Sequence, residues 1–140
     1  MAFVRLATTD NDINGCYAVM AQLRPHIQQD EFLPLVKAQI QNGYQLAYVD
    51  TQGIPVACAG FRYGQTLAWG KFLYVDDLIT DEQQRSKGYG KQLLDWLNAQ
   101  ARDNGCGQLH LDSGVQRVDA HRFYEREGLS KTSYHFAMSL

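Results

Sequence analysis

The sequence lacks the features that would direct it to nucleic acid, a membrane or an export pathway. It has no run of like charges, and its formal net charge is only −2, so phosphate backbones and anionic lipid surfaces are poor candidate partners. No apolar stretch approaches the ~18 residues of a membrane-spanning helix. Residues 1–10 carry an arginine and alternate apolar with polar side chains, which is unlike a signal peptide. We therefore expect a soluble, cytoplasmic protein.

Cysteine is also scarce. Cys16, Cys58 and Cys106 are odd in number and widely spaced, without a CxxC pair, so they predict neither a disulfide framework nor a zinc site. Reduced thiols in a cytoplasm fit this pattern best. The spacing of His110, Asp112 and His121 matches no metal site either, and we expect no metal.

The apolar content suffices for one core, because the chain has 140 residues of which 45% are hydrophobic. We therefore predict a single domain over residues 1–140. In the first half, the patterns predict a strand at 2–7, helices at 12–24 and around 33–40, and strands at 44–49, 54–62 and 66–79, with turns at 50–53 and 63–65.

The second half contains one strong amphipathic helix after Gly90, with Leu93, Leu94, Leu97 and Ala101 on one stripe. A strand at 108–111, a short helix at 118–127 and one or two strands within 129–140 follow it. This order is not a regular βαβ alternation. It predicts an α+β fold with a mixed, mostly antiparallel sheet flanked by helices.

The segment most informative about chemistry is a strand, 74–80, followed by a basic loop with two glycines and a long helix. Such a helix N-terminus offers free backbone N–H groups and the positive end of the helix dipole to a phosphate or pyrophosphate. Gly88 and Gly90 permit close approach to the backbone, and Arg85, Lys87 and Lys91 add positive charge. The spacing fits neither a P-loop nor a dinucleotide fingerprint. Taken alone, the loop could be a simple turn.

A second segment makes the pattern specific. Arg85-x-x-Gly88-x-Gly90 resembles the pyrophosphate loop of the GNAT superfamily of acetyl-CoA-dependent N-acyltransferases, and the later segment AHRFYEREGL at 120–129 resembles the second signature of that family. The predicted order of elements also resembles the GNAT fold over almost the whole chain. The resemblance implies an acetyltransferase that uses acetyl-CoA as co-substrate and a primary amine of a small molecule or peptide as acceptor.

The resemblance also implies roles for individual residues. Backbone groups of Leu78, Ile79 and Thr80 would accept the pantetheine arm and polarise the acetyl carbonyl. The pyrophosphate would be held by the loop and helix start, and further coenzyme contacts would come from the second segment. The implied coenzyme-binding residues are Leu78, Ile79, Thr80, Arg85, Ser86, Lys87, Gly88, Tyr89, Gly90, Lys91, Arg117, His121 and Phe123. Arg117 stands where many family members have an asparagine.

Tyr124 occupies the position of the tyrosine that, in many members, gives a proton to the coenzyme A sulfur. A core aromatic beside Phe123 is the alternative. For the base that deprotonates the amine, Asp76 is the first candidate and Asp77 its rival, because adjacent strand residues point to opposite faces and only one can face the substrate. Alternatively, both carboxylates only attract a cationic acceptor or pair with basic side chains.

The sequence leaves the acceptor and the oligomeric state unassigned. Wall residues for the acceptor site are expected among Tyr17, Arg24, His26, Phe32, Trp69 and Tyr134, and aromatic walls beside carboxylates would suit a cationic amine. Homodimers are common in such folds, and a strand near 133–139 could pair with a second copy. A non-catalytic acyl-CoA sensor or interaction domain is the alternative to an enzyme.

Overall fold

The computed structural model describes residues 1–140 as two compact units, Met1–His110 and Leu111–Leu140. The elements of the first unit are β1 (Ala2–Leu6), α1 (Asp10–Gly15), α2 (Tyr17–Leu23), α3 (Gln29–Gln41), β2 (Gln45–Thr51), β3 (Ile54–Thr66), β4 (Gly70–Thr80) and α4 (Tyr89–Asp103). Strand β5 (Gln108–Leu111) lies at the boundary, and the second unit contains α5 (Val118–Arg126). The single domain over residues 1–140 stays a prediction.

The five strands form one sheet in chain order, β1-β2-β3-β4-β5. Each neighbouring pair from β1 to β4 is antiparallel. The α+β fold with a mixed, mostly antiparallel sheet flanked by helices is therefore confirmed.

Helices cover both faces of the sheet in the first unit. On one face, Leu46 and Tyr48 of β2 belong to the same buried cluster as Ile13, Val19 and Phe32 of the first three helices. On the other face α4 packs with Leu93, Leu94 and Leu97 fully buried, and its Trp96 ring meets Phe61 of β3 edge to face at 5.7 Å. The predicted apolar stripe of α4 is thus its buried face.

The β3–β4 hairpin turns four residues later than the sequence predicts, at 67–69. The turn was expected at 63–65, but β3 continues to Thr66, and the Trp69 N–H donates to Thr66 Oγ1 at 3.0 Å before Gly70 adopts φ +67°. Gly64 instead pairs with Phe72 across the strands, where a Cβ would lie 2.5 Å from the Phe72 ring. The glycine therefore serves close packing, and the turn prediction is wrong.

Two other sequence predictions need correction. The helix expected over 12–24 is two helices, because Cys16 bonds back three residues to Ile13 and separates α1 from α2. The strands expected within 129–140 do not form, and residues 130–140 are exposed. Alternating Tyr134, Phe136 and Met138 give the segment a strand-like pattern, but a strand also needs a hydrogen-bonded neighbour. The homodimer stays a prediction.

Candidate active site

A β-bulge in β4 brings Asp76 and Asp77 to the same cavity. Gly60 of β3 pairs with Asp77, and the next residue, Phe61, pairs with Val75, so Asp76 is an extra residue in β4. An extra residue breaks the alternation of side chains along a strand. The expectation that the two aspartates point to opposite faces is therefore wrong, and both line one wall.

Asp77 is held by a tyrosine and an arginine. The Tyr44 hydroxyl donates to Asp77 Oδ2 at 2.7 Å, and Arg24 Nε donates to Asp77 Oδ1 at 2.9 Å. Arg24 also donates from Nη2 to the backbone oxygen of Asp76 at 3.0 Å. Burial, reinforced by the negative charge of Asp77, raises the pKa of Tyr44 well above its ordinary value, so this hydroxyl remains a donor.

The room for Tyr44 comes from a glycine. A Cβ on Gly60 would lie 1.8 Å from the Tyr44 hydroxyl oxygen and 2.3 Å from its Cζ. Gly60 is the strand partner of Asp77, so the Tyr44 side chain crosses a bare stretch of backbone to reach the carboxylate. Sequence reasoning missed both residues because Tyr44 reads as a strand start and Gly60 as one glycine within an apolar run.

Asp76 is held by a single arginine in a bidentate arrangement. Arg62 donates from Nε to Oδ2 at 2.7 Å and from Nη2 to Oδ1 at 2.9 Å. These hydrogen bonds raise the pKa of the Arg62 guanidinium. The Asp76 side chain is 26% exposed and that of Asp77 13%, so Asp77 is the more enclosed of the two carboxylates.

The cavity beside these carboxylates has a volume of about 480 Å³ and lies within the first unit. A space of this size is suited to a small-molecule ligand. Its apolar lining residues are Met20, Ile27, Phe32, Leu35 and Val36, and its polar ones are Arg24, His26, Gln39, Tyr44, Arg62, Asp76 and Asp77. Arg24, His26 and Phe32 were expected from the sequence.

The other expected wall residues do not line this cavity. Tyr17 lies behind Phe32, with the two rings 5.3 Å apart, and its hydroxyl donates to the Ile27 backbone oxygen at 2.8 Å. Trp69 stacks on His110 at 3.5 Å. Tyr134 is an exposed residue of the second unit.

The loop after β4 presents backbone N–H donors at the start of α4. Gly88 is the N-cap residue, has φ +84° and makes no side-chain cap. The Gln92 N–H donates to the Gly88 backbone oxygen at 3.0 Å, so the N–H groups of Tyr89 and Gly90 precede the first hydrogen bond of the helix. A Cβ at Gly88 would meet nothing within 4 Å. This open, donor-rich end fits a pyrophosphate.

Two of the basic side chains of this loop contact neighbouring residues of the chain. Lys91 Nζ lies 2.9 Å from Asp95 Oδ2, and Lys87 Nζ donates to Gln84 at 2.8 Å. Ser86 adopts φ +66°, a left-handed conformation that is uncommon for a residue with a side chain. The backbone at the helix start is therefore the stronger basis for an anion site than Lys91.

The end of β4 extends past the reach of β5. The N–H of Gly107, just before β5, donates to the backbone oxygen of Lys71 at 3.0 Å. β5 is four residues long, whereas Leu78 lies seven residues beyond Lys71. Leu78, Ile79 and Thr80 pair with β3 on their other side. The backbone edge of these three residues that faces away from β3 therefore lies past the end of β5.

In the second unit, α5 carries Tyr124 as its buried residue. Burial raises the pKa of Tyr124, while the guanidinium of Arg117, which is hydrogen-bonded to it, acts in the opposite direction. His121 Nε2 lies 2.8 Å from the Gly114 backbone oxygen, and the Phe123 ring is 5.5 Å from that of Tyr124. A neutral phenol hydrogen-bonded to a cation can serve as a proton donor.

No helix has both the length and the apolar character needed to cross a membrane.

Comparison with known proteins identifies the family of the chain. Residues 10–129 match the model of the Acetyltransferase (GNAT) family. Over 139 residues the chain is 35% identical to YhdJ of Bacillus subtilis, an uncharacterized N-acetyltransferase, and the match covers 97% of each protein.

One further similarity covers part of the sequence, and another is a similarity in fold. The chain is 35% identical over 66 residues to an aminoalkylphosphonate N-acetyltransferase of Salmonella typhimurium, which covers 47% of this chain and 43% of that protein. In fold it is similar to the aminoglycoside N-acetyltransferase AAC(6')-Iy solved in complex with CoA, with a TM-score of 0.87 and 13% identity over 100% of this chain and 95% of that one.

Proposed function

Because the chain belongs to the GNAT family and is an acetyl-CoA-dependent N-acyltransferase, we propose that it acetylates a primary amine of a small molecule or peptide in the cavity beside Asp76 and Asp77. The observation that carries this proposal is the bulge in β4. It turns both carboxylates to the cavity just before the strand end and glycine loop that suit the coenzyme.

The residues at the end of β4 and the start of α4 fit acetyl-CoA. The N–H groups at the start of α4, those of Tyr89 and Gly90, would hold the pyrophosphate, with Arg85 and Ser86 beside them and Gly88 leaving room for it. The backbone of Leu78–Thr80 would accept the pantetheine arm. Arg117, His121 and Phe123 remain proposed contacts from the family resemblance. The coenzyme supplies a thioester, whose carbonyl is open to attack by a neutral amine.

We assign the orientation and deprotonation of the amine to Asp77, directly or through a water. Each carboxylate accepts a hydrogen bond at both oxygens, Asp76 from Arg62 and Asp77 from Tyr44 and Arg24, so the exposure of the two side chains is what distinguishes them. Asp77 is more enclosed, and Tyr44 and Arg24 fix its orientation. Tyr124 would protonate the departing thiolate. An ordinary phenol and a thiol differ in pKa by about two units, and the Arg117 guanidinium opposes the rise in the pKa of Tyr124 that burial causes.

The test begins with thermal unfolding with and without acetyl-CoA, and with release of free thiol across a panel of amines. Binding with thiol release is expected. Binding without release from any amine would favour a coenzyme sensor, and the absence of a thermal shift at millimolar acetyl-CoA would contradict the coenzyme site.

The role of Asp77 is tested by the pH dependence of kcat/KM in Asp77→Asn. Loss of the base should lower kcat/KM at neutral pH by about a hundredfold. Part of the activity should return at alkaline pH, where more of the amine is already neutral. Asp76→Asn is the matched variant, and its profile should keep the wild-type shape. Unshifted profiles in both variants would refute a base at either position.

A further inference from the structure

The cavity has two walls of different chemistry. Helices α2 and α3 and the turn between them contribute Met20, Ile27, Phe32 and Leu35. Strands β3 and β4 contribute the two aspartates and Arg62. Leu35 keeps 43% of its surface exposed, so the apolar wall has area that a ligand could still cover. An occupant that matches both walls needs one polar end and one apolar end.

The charges of the carboxylates and guanidiniums that line the cavity cancel. Arg24 is paired with Asp77 at 2.9 Å and Arg62 with Asp76 at 2.7 Å. Two carboxylates are therefore offset by two guanidiniums, and His26 is the remaining basic side chain of the lining. A polyamine would bring a second positive charge to a site that has no net negative charge to receive it. A phosphorylated amine would find both guanidiniums already bound to carboxylates.

We propose that the acceptor is a monoamine with an apolar body, whose amine faces Asp77 and whose body lies against Leu35 and Phe32. This inference rests on the proposed acetyltransferase function and narrows its substrate class. The carboxylates each retain lone pairs for one ammonium, and the apolar wall gains from covering Leu35. The apolar wall thus selects the body of the acceptor. The paired carboxylates and guanidiniums limit the acceptor to a single positive charge.

Three amines of equal chain length test the inference: hexylamine, hexamethylenediamine and aminohexanoate. They share the reacting amine and differ only at the far end, which is apolar, cationic or anionic. We expect hexylamine to have the highest kcat/KM, by about tenfold or more, because its far end alone can contact the apolar wall without the cost of removing a charged group from water.

A variant in the wall shows where the body lies. Leu35→Asp should raise the KM for hexylamine about tenfold and improve hexamethylenediamine relative to it, because a carboxylate would then meet the second ammonium. Ile40→Asp is the matched control, since Ile40 lies on the same helix, is similarly exposed at 37% and does not line the cavity. It should leave the order and the KM values of the three amines unchanged.

Turnover of hexamethylenediamine or aminohexanoate in preference to hexylamine would overturn the inference and leave the acetyltransferase function standing. An equal response of Leu35→Asp and Ile40→Asp would overturn it as well. Calorimetric titration of hexylamine separates the remaining case. Binding that Leu35→Asp weakens, without thiol release from any amine, would support the monoamine site and refute the proposed transfer. Absence of both binding and turnover of hexylamine would overturn the inference.

Discussion

The position of Tyr44 depends on the missing side chain of Gly60, and Gly60→Ala tests that dependence. A Cβ there would lie 1.8, 2.3 and 2.5 Å from the oxygen, Cζ and Cε1 of Tyr44. Contacts that short do not occur, so the ring must move by about an ångström or more. Since Tyr44 is 4% exposed, it has little space into which to move.

Two losses set the magnitude. Displacing the ring breaks the 2.7 Å hydrogen bond to Asp77, and a buried hydrogen bond to a charged group contributes about 1.5 to 3 kcal/mol. Crowding a packed interior adds roughly 1 to 3 kcal/mol. We therefore expect Gly60→Ala to lower the free energy of unfolding by about 3 kcal/mol or more. Tyr44→Phe should not rescue it, because Cζ would still lie 2.3 Å from the new Cβ.

Urea unfolding followed by circular dichroism measures this change. Gly15→Ala is the matched control, because its Cβ would meet only Pro55 at the ordinary distance of 3.7 Å and Gly15 lies in a helix. It should leave the stability unchanged or raise it by about 0.5 kcal/mol or more. A loss below about 1 kcal/mol in Gly60→Ala would refute the crowding argument.

Three other predictions concern the coenzyme, the pH dependence of stability and the proton donor. Gly88→Ala should raise the KM for acetyl-CoA several-fold, whereas Gly105→Ala, which has a similar positive φ at the other end of α4, should not. The free energy of unfolding should fall as the pH rises above about 10, because Tyr44 can ionise in the unfolded chain before it does so in the folded one, and Tyr44→Phe should reduce that slope in urea titrations. Tyr124→Phe should lower kcat by about a hundredfold with the KM for acetyl-CoA retained, and the exposed Tyr134→Phe should have no effect; unchanged turnover would remove the acid role.

The sequence predicts an element well where its apolar pattern extends over several turns or where turn residues mark both of its ends. The stripe of α4 and the strand at 108–111 are where the pattern places them. Hairpin turns and terminal strands are harder to predict. Gly64 reads as a turn residue but is required by the Phe72 ring, a partner that is apparent only once the two strands are paired.

The candidate site shows the same division. The loop from Arg85 to Lys91 can be predicted because its conformation depends on residues that are neighbours in the sequence. The shared orientation of Asp76 and Asp77 is not, since it depends on one extra residue in the register between β3 and β4. Arg62 was missed for the same reason. Its pairing with Asp76 spans two strands, and nothing in the spacing of the two residues indicates it.

The arginines of the cavity bear on reactivity as well as on binding. An amine attacks a thioester only as the neutral base, and an ordinary lysine-like amine has a pKa of about 10.4. A site with net negative charge would bind the ammonium well but hold its proton. Removing one cation in Arg62→Gln should raise the pKa of the bound amine by about one unit.

That change gives a last prediction with a distinctive pattern. Arg62→Gln should lower the KM for the amine. It should also move the rise of kcat with pH to higher pH by about one unit, the same shift as in the pKa of the bound amine. Arg5→Gln is the control, because Arg5 forms a comparable ion pair with Asp50 at 2.9 Å outside the cavity. A higher KM with an unshifted profile would mean that Arg62 only positions Asp76. The compensating charge would then have no part in deprotonating the amine.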